Sequence, residues 1–283
     1  VYDQGGTMNR LYKERFLRNI GIMDEAGLER IRSTAIAVGG LGLGGSIFIN
    51  LVRLGFTRFH IADPDTYERT NINRQRLAKE TTVGLRKDEC LVEEARAINP
   101  DVQIKVLPEG VSPANVGAFL EGIDWVIDVV DVFAMEAKLV LNERARAKGL
   151  PVASCGSLGF SGSVVVFDST TPSFAELTGV SLSRPPLESL RNFLHFITPE
   201  IPRYMEEQLH QALDRSTHIP FVVPGVEVAA ATAAAQVAGQ VLGLCEPIRA
   251  PRGIYMDSLT GRAEIFEASY RARVFEAPRK KAA

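Results

Sequence analysis

The sequence predicts an α/β protein: a doubly wound, mainly parallel sheet with helices on both faces, continued by antiparallel strands. Three observations predict it. Short apolar runs alternate with helical patterns over residues 34–154, the rhythm of βαβ units. A glycine loop, Gly39-Gly40-Leu41-Gly42-Leu43-Gly44-Gly45, joins the first apolar run to a helix. Beyond Gly162 the rhythm changes to SGSVVVFD, which reads as an antiparallel strand.

At the N-terminal end, residues 9–33 carry Leu11, Phe16, Ile20, Leu28 and Ile31 among charges, and a break at Gly21 or Gly27 splits them into two helices. Residues 34–38 form the first buried strand, and residues 46–54 the helix after the loop. Glycine is needed between them because bare backbone must approach phosphates, whose charge is met by N–H groups at the helix start. This makes the sheet Rossmann-like. The second strand, 57–62, ends at Asp63 and Asp65, about 20 residues beyond the loop, where a ribose hydroxyl is usually accepted. A dehydrogenase could show the same arrangement.

The continuation is narrower. Asn71, Asn73, Arg74 and Gln75 follow the acidic turn, and Lys87 closes the group behind Gly84. Two cations and several amides beside a glycine loop suit a triphosphate better than the pyrophosphate of a dinucleotide. Onward, the pattern predicts a helix over 87–98, a strand over 102–107, a helix over 113–120 capped by Ser112, and a strand over 125–130. Asp131 then falls at a strand's C-terminal end, where ligands and metals sit in doubly wound sheets. Asp128, inside the run, suits hydrogen bonds to neighbouring backbone. A helix over 135–148 and a strand over 151–154 complete the alternation.

Residues 169–221 are rich in Pro, Ser and long polar side chains, with a helix predicted over 199–214, and read as an insertion that covers a site or forms an interaction surface. His195, His210 and His218 lie there at spacings that match no metal motif. Val226 to Leu244 is made mostly of small residues and includes Glu227, so it is expected as an interior helix and not a membrane span. Residues 253–256 and 263–266 close the fold as a hairpin, and the end reads as a frayed basic tail. We therefore expect one domain over 1–283: N-terminal helices (9–33), a nucleotide-binding core (34–168), an insertion or cap (169–221), a C-terminal helix and hairpin (222–267) and a tail (268–283).

Composition narrows the partners. With 283 residues, 46% hydrophobic and 23% charged, the chain can bury a sizeable core. A net charge of −2 gives no global reason to bind nucleic acid or an anionic membrane. Cys90, Cys155 and Cys245 are widely spaced and no CxxC occurs, which argues against a disulfide framework and fits a reducing cytoplasm. No apolar stretch of signal-peptide length precedes residue 16, and Met8 reads as a native start behind tag remnants.

Taken in order, RFxRN at Arg15 to Asn19, the glycine loop, DPDxxxxxNxNRQ at Asp63 to Gln75, GxxK at Gly84 to Lys87, INP at Ile98 to Pro100 and DVVD at Asp128 to Asp131 resemble the MoeB/ThiF-like adenylyltransferases, the superfamily of the ubiquitin-activating enzymes. The resemblance implies adenylylation of a carboxylate by MgATP, with pyrophosphate released. By position it implies that Gly39, Gly40, Gly42 and Gly44 approach the nucleotide and that Asp63, with Asp65, holds the ribose. Asn71, Arg74 and Lys87 would bind phosphates, Gln75 would shape the site, and Asp131 would hold Mg2+. Arg18 matches an arginine donated across a homodimer, making Arg18, Arg74, Lys87 and Asp131 the catalytic set.

The chain departs from that pattern in three places. Leu41 stands where a glycine is usual, unless the frame is Gly40, Gly42 and Gly45. Val132 follows Asp131 in place of asparagine, and the CxxC pairs that bind zinc in many relatives are missing, so no zinc is expected. Cys155 is the only candidate for a thioester or persulfide, and burial as a small apolar residue is the simpler account. The acceptor stays open among a ubiquitin-like carrier ending in Gly-Gly, a ribosomal peptide, a small acid and a carbamoyl-threonine group on tRNA. An NAD-dependent oxidoreductase would leave Asn71 to Gln75, Lys87 and Arg18 without a role; a nucleotide-binding scaffold without turnover would not need them all.

Overall fold

The computed structural model describes residues 9–131, 133–213 and 219–271. Met8, Val132, Asp214, His218, the His210 side chain and most of the expected tail lie outside the described residues. An eight-stranded sheet runs in the order β3-β2-β1-β4-β5-β6-β7-β8. Its strands are β1 Ala35–Gly39, β2 Arg58–Ala62, β3 Gln103–Leu107, β4 Trp125–Asp128, β5 Val152–Leu158, β6 Ser161–Phe167, β7 Arg252–Asp257 and β8 Arg262–Glu267. The first five are parallel, with Ala35 opposite Arg58 and Ile36 opposite Trp125; from β5 onward the pairs are antiparallel. Strand order reverses at β1 and β4, so a crevice opens above their C-terminal ends.

Side-chain alternation along β1 explains why both faces are covered. Ile36 and Val38 point into one core and Ala35 and Ala37 into the other. On the first face lie α2 (Glu25–Ser33), α3 (Leu43–Leu54), α4 (Lys87–Ile98) and α10 (Val223–Leu242), preceded by the short α1 (Arg10–Arg15). The second face carries α5 (Val116–Phe119), α6 (Met135–Ala147), α7 (Phe174–Thr178) and part of α8 (Pro186–Ile197), while α9 (Glu206–Leu213) packs with α8 in a third, smaller cluster.

Asn9 and Asp24 cap the first two helices by accepting the Tyr12 and Gly27 N–H groups, each at 2.7 Å. The break between those helices is at Gly21, with φ of +106°, whereas Gly27 lies inside α2. Small residues let α10 lie directly on the sheet: a Cβ on Gly225 of α10 would stand 2.1 Å from the Gly159 carbonyl oxygen, and one on Gly162 of β6 2.4 Å from the Ala229 nitrogen. Glu227 is satisfied by the Ser46 hydroxyl at 2.8 Å and by Arg76 at 3.5 Å. Among the described residues no helix is long and apolar enough to cross a membrane.

Several boundaries differ from the expected ones. The helix predicted over 113–120 is only Val116–Phe119, and Ser112 does not cap it; the Asn115 side chain accepts the Ser112 N–H instead, closing a turn first. The helix after the glycine loop begins at Leu43, three residues before Ser46, and β4 ends at Asp128, before Val130. The helix predicted over 199–214 is replaced by α8 before it and α9 within it. Pro199 and Pro202 interrupt the stretch because neither can donate a backbone hydrogen bond.

Candidate active site

Above the switch point lies a cavity of about 630 Å³, lined by the loops that follow β1, β2 and β4, by β5, and by α3, α4, α6, α8 and α10. It starts at Gly40, which adopts φ of +87° and donates its N–H to the Ala62 carbonyl at 2.9 Å. A Cβ there would stand 2.3 Å from the Val129 carbonyl oxygen, so the strap between β1 and β4 excludes any side chain. Gly42 caps α3 and, like Gly40, faces the cavity. Gly39 and Gly44 do not line it. Their missing side chains make room for Leu141 and for Val129 and Val38.

Leu41, the departure from the glycine pattern, is fully buried; its N–H is given to Asp63 Oδ2 at 2.5 Å. Asp63 Oδ1 accepts the Asp65 N–H at 2.9 Å. Lys87 Nζ lies 2.7 Å from Asp65 and 3.6 Å from Asp63. Burial pushes the Asp63 carboxyl above the ordinary carboxylate range, against the opposing pull of Lys87 and the two N–H donors. The two acids and the lysine predicted for ribose and phosphate are therefore one interlocked group.

Asn71 is buried and its Oδ1 accepts the Glu68 N–H at 3.0 Å, so part of its function is to fold the loop. Arg74 donates to the Thr70 carbonyl at 2.9 Å and to Asn73 Oδ1 at 3.0 Å, and its guanidinium lies 5.3 Å from the Phe221 ring centre. Asn73 donates to the Phe221 carbonyl at 2.7 Å, which ties the loop to the end of the insertion. Gln75 also lines the cavity, and its buried Oε1 has no hydrogen-bond partner among the described residues. Asp131 is exposed at the cavity rim, with Oδ1 accepting the Phe133 N–H at 2.9 Å. Arg18 sits exposed on a 3-10 turn, Leu17–Asn19, outside the cavity lining.

The sequence reading missed Lys138. Its buried ammonium donates to Asp128 Oδ1 at 2.9 Å and to the Val130 carbonyl at 3.0 Å, while Asn142 donates to Asp128 Oδ2 at 2.8 Å. The signal was present: an acid inside an apolar strand requires buried donors, and Lys138 and Asn142 share a face of the next helix, four residues apart. Cys155 also lines the cavity. Burial first, and the nearby Asp128 charge second, push its thiol well above the ordinary range, so it is a protonated, small apolar group.

Mg2+ is commonly held by one or two carboxylates together with substrate phosphates. Among the described residues no three His, Cys, Asp or Glu side chains converge as a metal cluster. Asp131, a hard oxygen donor at the mouth of the cavity with one carboxylate oxygen outside its own turn, fits that mode.

Comparison with known proteins gives consistent matches. Residues 16–273 match the model of the ThiF family. The SAMP-activating enzyme E1 of Haloferax volcanii is 32% identical over 153 residues, covering 53% of this chain and 56% of that protein. The tRNA threonylcarbamoyladenosine dehydratase of Haemophilus influenzae is 34% identical over 131 residues, 46% of this chain and 50% of that protein. The chain thus spans about half the length of the curated relatives it matches. Among solved structures, PaaA aligns with a TM-score of 0.70 at 20% identity, over 95% of this chain and 86% of that one. Escherichia coli MccB aligns with a TM-score of 0.67 at 16% identity, over 93% and 71%. At these identities the two structures establish a shared fold.

Proposed function

The chain belongs to the ThiF family, and from that premise we propose that it adenylylates a carboxylate with ATP, releasing pyrophosphate. The observation that carries the proposal is the gathering of Asp63, Asp65, Arg74, Gln75, Lys87 and Asp131 around one cavity at the glycine turn. No part of it is supplied by the glycine loop alone, which is why a dinucleotide oxidoreductase is the poorer account.

In this reading the ribose hydroxyls donate to Asp65 and Asp63, and the backbone at Gly42 and the start of α3 faces the phosphates. Ribose binding competes for the carboxylates that now hold Lys87, and the freed ammonium turns to the phosphate chain. Arg74 supplies a second cation, held ready by Thr70, Asn73 and the Phe221 ring. A substrate carboxylate oxygen attacks the α-phosphorus; that P–O bond forms as the bridge to the β-phosphorus breaks, and the electron pair leaves with pyrophosphate. The residues act by alignment and by neutralising developing charge. Asp131 would hold Mg2+, which when bound draws charge from the phosphate oxygens.

The protein would work as a homodimer, with Arg18 reaching the partner's site from its exposed turn. The acceptor class is a carrier C-terminus, a peptide or a small acid. The protonated Cys155 supports transfer of the adenylate to an external nucleophile over a protein thioester.

Carboxylate-dependent exchange of pyrophosphate into ATP tests the reading. Lys87→Ala and Asp131→Ala are each expected to lower exchange by roughly 100-fold or more, the scale on which a preorganised charge-stabilising group matters. ATP binding without exchange for any carboxylate would instead establish a nucleotide-binding scaffold.

A further inference from the structure

The cavity has two chemically different halves. Over the ends of β2 and β1 its wall is charged and polar, and the nucleotide reading uses that half. Toward β5 and beneath α8 the wall is apolar apart from Ser157: Leu158, Leu190, Phe193, Leu194 and Ile197. The proposed phosphate and ribose contacts leave that half unassigned. Leu158, Leu190 and Leu194 also belong to a packed cluster with Met205 and Leu209, so the insertion presents a fixed surface and not a loose flap. α8 lies directly on β5, since a Cβ on Gly156 would stand 2.5 Å from Ile197 Cγ1.

Lys138 stands at the seam between the halves. Hydrogen bonds to Asp128 and the Val130 carbonyl use two of the three donors of its ammonium, whose nitrogen lies 5.0 Å from the centre of the Phe193 ring. The third donor makes neither of these bonds; the ammonium also lies 5.6 Å from the Phe174 ring centre, and Lys138 lines the cavity. A cation facing an apolar wall complements a molecule with a carboxylate at one end and hydrocarbon behind it.

We propose that this half of the cavity takes the acyl part of the substrate, and that the substrate is a carboxylate carried on an apolar carbon skeleton. The proposal rests on the adenylylation reading and names its substrate class. The carboxylate lies near Lys138, within reach of the nucleotide half, and the skeleton packs against α8. A tail ending in Gly-Gly has no side chain and gains nothing from such a wall. An aliphatic or phenyl group buried there gains roughly tenfold or more in affinity. That hydrocarbon can belong to a free acid or to the last residue of a peptide.

Titration of the full chain, loaded with a non-hydrolysable ATP analogue, separates these cases. The probes are acetate, hexanoate and 3-phenylpropionate as free acids, and one short peptide ending either in phenylalanine or in Gly-Gly. The apolar member of at least one series is expected to bind roughly tenfold or more tightly than its partner, and the series that responds identifies the source. Phe193→Ser should erase the preference and Phe193→Leu should keep it, with circular dichroism confirming that both variants fold. Equal binding within both series, preference for Gly-Gly, or a preference untouched by Phe193→Ser would overturn the proposal. Pyrophosphate exchange is read separately. A Phe193-dependent apolar preference without exchange would remove adenylylation and keep the pocket, whereas exchange driven by the Gly-Gly peptide alone would keep adenylylation and remove the pocket.

Discussion

Asp63 stands at the centre of the charged half of the cavity, and its environment makes a directional prediction. Burial raises its carboxyl above the ordinary carboxylate range, although Lys87 and the Leu41 and Asp65 N–H groups favour the charged form. Protonation therefore favours the folded chain. The stabilisation is fully present below the unfolded carboxyl's value and is lost as pH rises through the raised one. Chemical denaturation across the acidic range should show this loss in the natural chain and not in Asp63→Asn; parallel stability curves would mean that Asp63 is not the group responsible. The acid itself was legible in the sequence because a strand end and a glycine loop fix its place. Its entanglement with Lys87 depends on how a helix start, more than twenty residues later, folds back against the turn.

At the scale of elements, the buried Asp128–Lys138 pair stands where four pieces meet. Asp128 ends β4, Lys138 belongs to α6, and the Lys138 ammonium faces the rings of Phe174 on α7 and Phe193 on α8. Removing one partner leaves a desolvated charge. Lys138→Met is thus expected to cost about 3–5 kcal/mol in urea denaturation, and Lys138→Met combined with Asp128→Asn much less. If the double variant is as unstable as the single one, packing of the lysine stem and not charge pairing is what matters. The elements themselves were read well where strand and helix alternate. They were read poorly at α8 and α9, where prolines divide a continuous polar pattern and where helix position follows from what the cavity and Met205 cluster can bury.

For the whole molecule, the proposed shared site predicts complementation. Arg18→Ala and Lys87→Ala chains, each inactive alone, should regain pyrophosphate exchange when mixed and refolded together, because a mixed dimer contains one site with both residues intact. No recovery, despite mixed dimers seen by native mass spectrometry, would place Arg18 outside the partner's chemistry. Arg18 is exposed and outside the cavity of its own chain, which is the geometry such an exchange requires. The sequence by itself determined the parallel core, the glycine loop after the first strand, the acidic strand end and the Asn71 to Lys87 group. Each is encoded by residues near one another in the chain, where backbone sterics and strand or helix periodicity act directly. Only the tertiary structure decided that Gly39 and Gly44 lie against Leu141, Val129 and Val38, that Arg74 rests on Phe221, that Lys138 neutralises Asp128, and that α8 gives the cavity an apolar wall. Those contacts join distant segments, and their partners are chosen by close packing and by the need to pair every buried charge, neither of which is written in local spacing.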